Sequence, residues 1–185
     1  MLDRAEDQLI QEAKEGSHEA FRKLVQRHMK QAYNVAYGFL HDHDEADDIS
    51  QEAFVKVHAS LDSFRGDSEF GTWLHRIVAN LSMSRLRQRK RKSQREVALD
   101  QATLIPDQAN SETEPVERTE IIERILHELP TLQRAVVILR HLEGLSTKQV
   151  SRILDCSEGT VKTHLHRGLK RMRSQLTYLK QEALA

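Results

Sequence analysis

The chain has 185 residues, enough for one large or two small domains, and its 28 Lys and Arg cancel its 28 Asp and Glu, so net charge gives no sign of a nucleic-acid partner. A single cysteine, Cys156, excludes an internal disulfide framework and suits a reducing compartment, while only 7 Gly and 3 Pro favour an all-α protein. The charged segment Met1 to Lys14 has no apolar signal core, and no apolar run approaches the ~20 residues that cross a bilayer, so the expectation is a cytoplasmic protein without membrane insertion.

Asp3 can cap a first helix carrying Leu9, Ile10 and Ala13, which Gly16-Ser17 ends. Ser17 opens a longer helix with Ala20, Phe21, Leu24, Val25, His28, Ala32, Val35, Ala36 and Phe39 on one side. After the break at His41-Asp42-His43-Asp44, a third helix over Asp44 to Leu61 carries Ile49, Ala53, Val57 and Leu61 at four-residue spacing, with Ala46 and Phe54 beside them. Its other face is acidic, through Asp44, Glu45, Asp47, Asp48 and Glu52. His41, Asp42, His43, Asp44 and Glu45 could ligate a metal. They lack a fixed ligand spacing, however, and acids at a helix start are favoured by the helix dipole. Asp47, Asp48, Gln51 and Glu52 read either as a solvated face or as a docking face for a basic protein.

Ser63-Phe64-Arg65-Gly66-Asp67-Ser68 is a loop in which Gly66 can take a positive φ. Phe70, Trp73, Leu74, Ile77, Val78 and Leu81 then mark a fourth helix, with His75, Arg76, Asn80, Ser84 and Arg87 on its other face. It runs into Arg85-Leu86-Arg87-Gln88-Arg89-Lys90-Arg91-Lys92, the densest charge in the chain. Cations are favoured at a helix end anyway. Upstream amides and hydroxyls, with aromatics around an exposed loop, add the features of a single-strand surface, because aromatic faces stack on unpaired bases.

Residues 93–118 read as a linker, with Pro106, Pro115 and six acids among few large apolar residues. Ile121, Ile122, Ile125, Leu126 and Leu129 open a second domain; Pro130-Thr131 turns the chain, and Val136, Val137, Leu139 and Leu142 follow. Ser146 with Gln149 forms a capping box for a short helix bearing Val150, Ile153 and Leu154. Asp155-Cys156-Ser157 breaks that helix, and Ser157 caps a longer one with an apolar stripe of Val161, Leu165, Leu169 and Met172. The opposite face carries Thr160, Lys162, Thr163, His166, Arg167, Lys170 and Arg171, the layout of a DNA-binding helix-turn-helix. Cys156 reads as a small packed residue in the turn rather than a sensor. Charge alternates in blocks: residues 1–60 hold 7 basic and 12 acidic side chains, residues 61–95 hold 9 and 3, residues 96–130 hold 2 and 9, and residues 131–185 hold 10 and 4. Two basic segments flanking an acidic one point to two contacts with a polyanion.

Three motifs in order resemble a bacterial sigma factor of the extracytoplasmic-function (ECF) group of the sigma-70 family, over nearly the whole chain. Asp44-Glu45-Ala46-Asp47-Asp48-Ile49-Ser50-Gln51-Glu52-Ala53-Phe54 is similar to the region 2.2 helix that docks on the polymerase clamp. Phe64 to Asn80 resembles the loop and helix that open and read the −10 element, and Leu129 to Arg173 resembles regions 4.1 and 4.2, which read the −35 element. The resemblance implies that Asp47, Asp48, Gln51, Glu52 and Phe54 bind polymerase. It implies that Phe64, Arg65, Asp67 and Ser68 line a pocket for a flipped non-template base, with Trp73, Arg76, Asn80, Ser84 and Arg87 along the strand. It places Thr160, Lys162, Thr163, His166 and Arg167 in the major groove and Lys170 and Arg171 on phosphates. His75, His164 and His166 stand where promoter-specific residues could sit.

The expected fold is all-α: two small helical domains, 1–95 and 119–185, joined by a flexible acidic linker, 96–118, with the helix-turn-helix in the second. The expected function is promoter-specific transcription initiation with core RNA polymerase (clamp and flap) and promoter DNA as partners and a separate anti-sigma factor as inhibitor. No cofactor or resident metal is implied, and no catalytic constellation is present. One rival is a helix-turn-helix activator of the response-regulator type, whose receiver domain should alternate strands and helices. The other is a metal-dependent nuclease built on His41, Asp42, His43 and Asp44.

Overall fold

The computed structural model describes residues 4–99 and 118–182, and every regular element in them is helical. In order these are α1 (Arg4–Lys14), α2 (His18–Leu40), α3 (His43–Ser60), a 3-10 turn (Leu61–Ser63), α4 (Phe70–Leu99), α5 (Arg118–His127), α6 (Thr131–Val137), a π-helical turn (Ile138–Leu142), α7 (Thr147–Leu154) and α8 (Glu158–Glu182). Helix α4 continues to Leu99, past the point where the charge pattern placed the start of a linker; the rest of that segment, residues 100–117, lies outside the described residues, as does Asp3.

Local chemistry sets the helix starts. The Ser17 hydroxyl accepts from the Ala20 amide (3.2 Å), and α3 starts at His43, one residue before Asp44, because Asp42 caps it by accepting from the Glu45 amide (2.9 Å). That amide hydrogen bond, and then the guanidinium of Arg89, hold the Asp42 carboxyl below its ordinary 3.8. Arg89 closes a clamp from α4 onto the start of α3: its Nη2 lies 3.0 Å from Asp42 Oδ2 and its Nε donates to Glu45 Oε1 at 2.9 Å. Part of the basic run is therefore structural.

Helix α2 lies at the centre, packed on α1, α3 and α4 and also reaching α5, α6 and the π-helical turn. Leu24, Val35, Phe39, Ile49, Val57 and Leu74 are fully buried in its neighbourhood, and Leu129, Ile138, Leu139 and Val150 continue the same cluster into the second helical unit. Instead of two separate cores, the described helices share one apolar interior across a seam. Gly38 permits the closest approach there: a Cβ at that position would lie 3.0 Å from Ile138 Cδ1. Arg134, 6% exposed, donates from Nη1 to the Phe39 carbonyl at 2.6 Å across the seam.

His127 at the end of α5 packs against His41 at the end of α2, with ring centroids 5.2 Å apart and the ring planes tilted by 35°. Partial desolvation of this still-exposed ring first, then the positive charges of Arg134, His41 and Arg89, hold the His127 pKa below its ordinary 6.5, against a smaller opposite pull from Glu128. A base whose folded pKa is depressed stabilises the fold fully above its unfolded pKa and loses that contribution as pH falls through the folded value. Thermal melts between about pH 5 and pH 8 should therefore show His127→Gln losing less stability on acidification than the parent chain. Parallel pH profiles would show that His127 does not titrate on unfolding.

Candidate nucleic-acid interface

Three surfaces carry the residues singled out by the sequence. On α3, Asp47, Asp48 and Gln51 are exposed and Glu52 is half-buried, and Gln51 Nε2 donates to Asp47 Oδ2 at 2.8 Å. Phe54 does not belong with them. At 5% exposure it is a core residue, because it follows Ala46 and Ser50 at four-residue spacing on the buried side. The exposed row instead runs Asp47, Gln51, Val55, and Val55 is 69% exposed, an apolar side chain set among acids.

The second surface is the loop before α4 and the exposed side of that helix. Gly66 has φ +76°, a conformation that glycine takes without a Cβ penalty. Phe64 is nearly buried, its ring 5.1 Å from Trp73 and 5.8 Å from Phe70, so Trp73, half-buried, presents the more accessible aromatic face. Lys14 of α1 fixes this corner by donating from Nζ to the Phe64 carbonyl at 2.6 Å, with the same nitrogen 5.9 Å from the Phe64 ring centre. Ser63, Phe64, Arg65, Asp67, Ser68, Thr72, Trp73 and Arg76 line a cleft of about 370 Å³, large enough for a flat heterocycle. From it Arg76, Asn80, Ser84 and Arg87 run along α4 as an exposed stripe of roughly 16 Å. His75 is not in this stripe. It is 1% exposed and points into the seam, which removes it from any promoter-reading role.

The third surface is the helix-turn-helix. The capping box is complete: Ser146 Oγ accepts from the Gln149 amide at 3.2 Å, and Gln149 Oε1 accepts from the Ser146 amide at 2.8 Å. Asp155 ends α7 in the left-handed region (φ 50°), and Ser157 caps α8 by accepting from the Thr160 amide at 3.0 Å. Cys156 lies in the turn, half-buried; burial and then Asp155 push its thiol pKa up, away from the reactive thiolate. Lys162, Thr163, His166, Arg167, Lys170 and Arg171 are exposed along α8, whereas Thr160 is half-buried and His164 is too. Gly168, not Leu169, faces α6: Gly168 is buried while Leu169 is 36% exposed.

Elsewhere, an apolar groove of about 700 Å³ between α5 and α8, lined by Ile121, Ile125, Tyr178 and Leu179, lies away from both cationic stripes. The His41 to Glu45 segment is engaged otherwise than in a ligand set: the Tyr33 hydroxyl is 2.6 Å from His43 Nδ1, and Asp42 and Glu45 hold Arg89. Among the described residues no group of three or more His, Cys, Asp or Glu could hold a metal ion, and no helix is long and apolar enough to cross a membrane.

Side chains that the sequence did not assign to this surface also shape the cleft. Its far wall is α7, through Gln149, Arg152 and Ile153, and Gln149 Nε2 donates to Thr72 Oγ1 at 3.1 Å. Glu143 sits in the seam, where Gln31 Nε2 donates to its Oε2 at 3.2 Å; His75 Nε2 lies 3.3 Å from the same oxygen. No local sequence signal places these residues at the cleft or the seam, since each meets a partner far away in the chain.

The Sigma-70 region 2 family matches residues 24–92, and the Sigma-70, region 4 family matches residues 119–172. The chain is 34% identical to the ECF RNA polymerase sigma factor SigW of Bacillus subtilis over 90% of this chain and 94% of that protein. It is 34% identical to the RNA polymerase sigma-H factor of Pseudomonas aeruginosa over 99% of this chain and 100% of that one. Among solved structures, it is similar to the sigma factor RpoE in complex with the anti-sigma factor NepR from Bartonella quintana, with a TM-score of 0.69, 26% identity, and coverage of 85% of this chain and 96% of that chain. It is also similar to CnrH in complex with the cytosolic domain of CnrY, with a TM-score of 0.68, 26% identity, and coverage of 94% and 98%.

Proposed function

Because this chain belongs to the sigma-70 family, in its extracytoplasmic-function group, we infer from its exposed side chains how it performs promoter-specific transcription initiation. The all-helical segment 4–99 leaves no place for a receiver domain, so the activator reading is set aside. A sigma factor is an initiation factor, and we assign this chain no chemistry of its own. Its partners are core RNA polymerase and promoter DNA, it works in the cytoplasm, and an anti-sigma protein is its natural inhibitor.

The supporting observation is the order of surfaces along the chain: an acidic face on α3, an aromatic-lined cleft with a polar stripe on α4, and a cationic reading helix α8. Asp47, Asp48, Gln51 and Glu52, joined by Val55, dock on the polymerase clamp. Arg65, Asp67, Ser68 and Trp73 receive a flipped −10 base, and Arg76, Asn80, Ser84 and Arg87 hold the strand beside it. Extruding a base costs a few kcal/mol, which stacking and edge hydrogen bonds recover. Lys162, Thr163, His166 and Arg167 reach into the major groove, while Lys170 and Arg171 hold phosphates. Thr160, bonded to Ser157, contributes mainly by fixing the start of α8.

Reconstitution with core polymerase and a promoter library tests this reading: start-site-specific transcripts are expected, and their absence with a well-folded protein would sink it. With a promoter in hand, Arg167→Ala should reduce discrimination at one base pair of the −35 element by ~1–3 kcal/mol if Arg167 makes a bidentate base contact. Competition binding with single-substitution duplexes measures this. An equal loss on every duplex would move Arg167 to the phosphate group of contacts.

A further inference from the structure

Base selection in the cleft depends on the direction in which the loop before α4 leaves its anchor, and that anchor is gripped from a helix outside every assigned surface. The Phe64 amide donates to the Leu61 carbonyl at 3.0 Å, closing the 3-10 turn, and Phe64 then takes φ −70° and ψ 111°, so the chain becomes extended. Arg65, Gly66 and Asp67 follow, all exposed. Among the described residues, one side chain from another helix hydrogen-bonds this loop: Lys14, whose Nζ donates to the Phe64 carbonyl at 2.6 Å. A peptide unit is planar, so a carbonyl held in direction fixes the amide of the next residue with it. Lys14 thereby sets the plane from which Arg65 departs, before Gly66 turns the chain with φ +76°.

The lysine is itself held in place. It ends α1, and near the other end of that helix Glu6 Oε1 lies 2.6 Å from His28 Nε2 of α2. The His28 ring lies 5.0 Å from the ring of Phe70, which opens α4 and stands 5.8 Å from the Phe64 ring. Both ends of α1 therefore bear on one aromatic corner. The helix dipole alone favours a cation at a carboxy terminus, but it asks only for an ammonium in solvent. Lys14 is half-buried and makes a charge-assisted bond to a residue 50 positions away.

We propose that Lys14 is a positioning residue for −10 base selection, holding the Phe64–Arg65 peptide so that Arg65, Asp67 and Ser68 converge on one base. The proposal rests on the assignment of the cleft to the flipped −10 base. Lys14 lies outside the cleft lining and acts through the Phe64 carbonyl. A flipped base is told from the others by hydrogen bonds to its edge, and these weaken steeply when a donor or acceptor points away. A loop whose first peptide can swing keeps its polar groups but scatters their directions. Preference among bases then falls, while the grip of Arg76, Asn80, Ser84 and Arg87 on the strand, set by the helix that carries them, stays.

The test compares holoenzymes made with the parent chain, Lys14→Met and Lys14→Arg. The probes are four labelled single-stranded oligonucleotides that carry the −10 sequence recovered from the transcription assay. They differ only at the position where the parent's base preference is strongest. Lys14→Met keeps the apolar stem and removes the donor. Its preference for the favoured base should fall by about fivefold or more, the lower end of what one well-placed edge contact discriminates, through weaker binding of that base alone. Lys14→Arg restores a cationic donor and should keep most of the preference. Should Lys14→Met unfold below the assay temperature, Lys14→Gln, uncharged and shorter, takes its place with the same expectation. Three results would overturn the positioning role while leaving the cleft assignment intact: a parent-like preference in Lys14→Met, an equal loss on all four probes, or a loss in Lys14→Arg as large as in Lys14→Met. A parent holoenzyme with no base preference at any −10 position overturns the cleft assignment, and the role of Lys14 with it.

Discussion

Asp48→Arg should weaken association with core polymerase by well over tenfold while leaving the fold nearly untouched. Asp48 is exposed on α3, beside Asp47 and Glu52. Reversing its charge against a basic partner surface replaces attraction with like-charge contact, which costs several kcal/mol at an interface, and each ~1.4 kcal/mol is a factor of ten. A surface substitution of this kind ordinarily shifts stability by no more than about 0.5 kcal/mol, so the melting temperature is the control. Binding of the variant to labelled core enzyme, set beside its binding to −35 duplex without polymerase, separates the two surfaces. An unchanged affinity for core enzyme would make the acidic row a solvated face. Val55→Ser adds a second probe of the same row, with a smaller loss expected, because an apolar side chain this exposed gains only when a partner covers it.

Gly168→Val should destabilise the helix-turn-helix unit by about 1–3 kcal/mol, the usual range for overpacking a close contact. A Cβ at Gly168 would stand 3.0 Å from Val137 Cγ2 and 3.5 Å from Gln133 Cβ, so α8 and α6 cross where only hydrogen fits. Two effects oppose each other at this position. Glycine inside a helix costs about 1 kcal/mol against alanine, so Gly168→Ala gains propensity and loses packing, with a small net change. The branched side chain of valine tips the balance, and at this chain length each kcal/mol lowers the melting temperature by roughly 2–4 °C. Gly159→Ala is the control, since its nearest neighbour, Ser157 Oγ, is 3.6 Å away, and it should be neutral or stabilising. Thermal unfolding of the three variants would settle the order. A Gly168→Val protein as stable as the parent would mean that α6 and α8 can slide apart freely.

The capping signals were legible residue by residue because a cap is a local event. Ser17, Ser146 and Ser157 each accept from an amide three residues on, and Gln149 completes the box at Ser146. The exposed stripe Arg76, Asn80, Ser84, Arg87 and the cationic side of α8 were legible for a similar reason, since 3.6-residue periodicity puts like side chains on one face. Periodicity blurs where a four-residue step is followed too far. Each such step drifts about 40° around the helix, so Leu169, two steps from Val161, has turned outward, and Gly168 takes the buried place. Periodicity itself set Phe54 beside the apolar row of α3, where it lies; only the resemblance assigned it to the polymerase face, and at 5% exposure it does not stand there.

What the sequence by itself determined was the main helices, most of their caps, the family, and which polar side chains share an exposed face, all of which depend on neighbours within a turn or two. What only the tertiary structure decided was how those faces sit together. Gln149 meets Thr72 across 77 positions, Arg134 meets Phe39 across 95, and Glu143 meets Gln31 across 112. A glutamine that caps its own helix and an acid before a glycine carry no local mark of a distant partner. Their pairing follows from which apolar faces close on one another, a property of the whole packed core, and it is that closure which gives the cleft beside α4 its far wall.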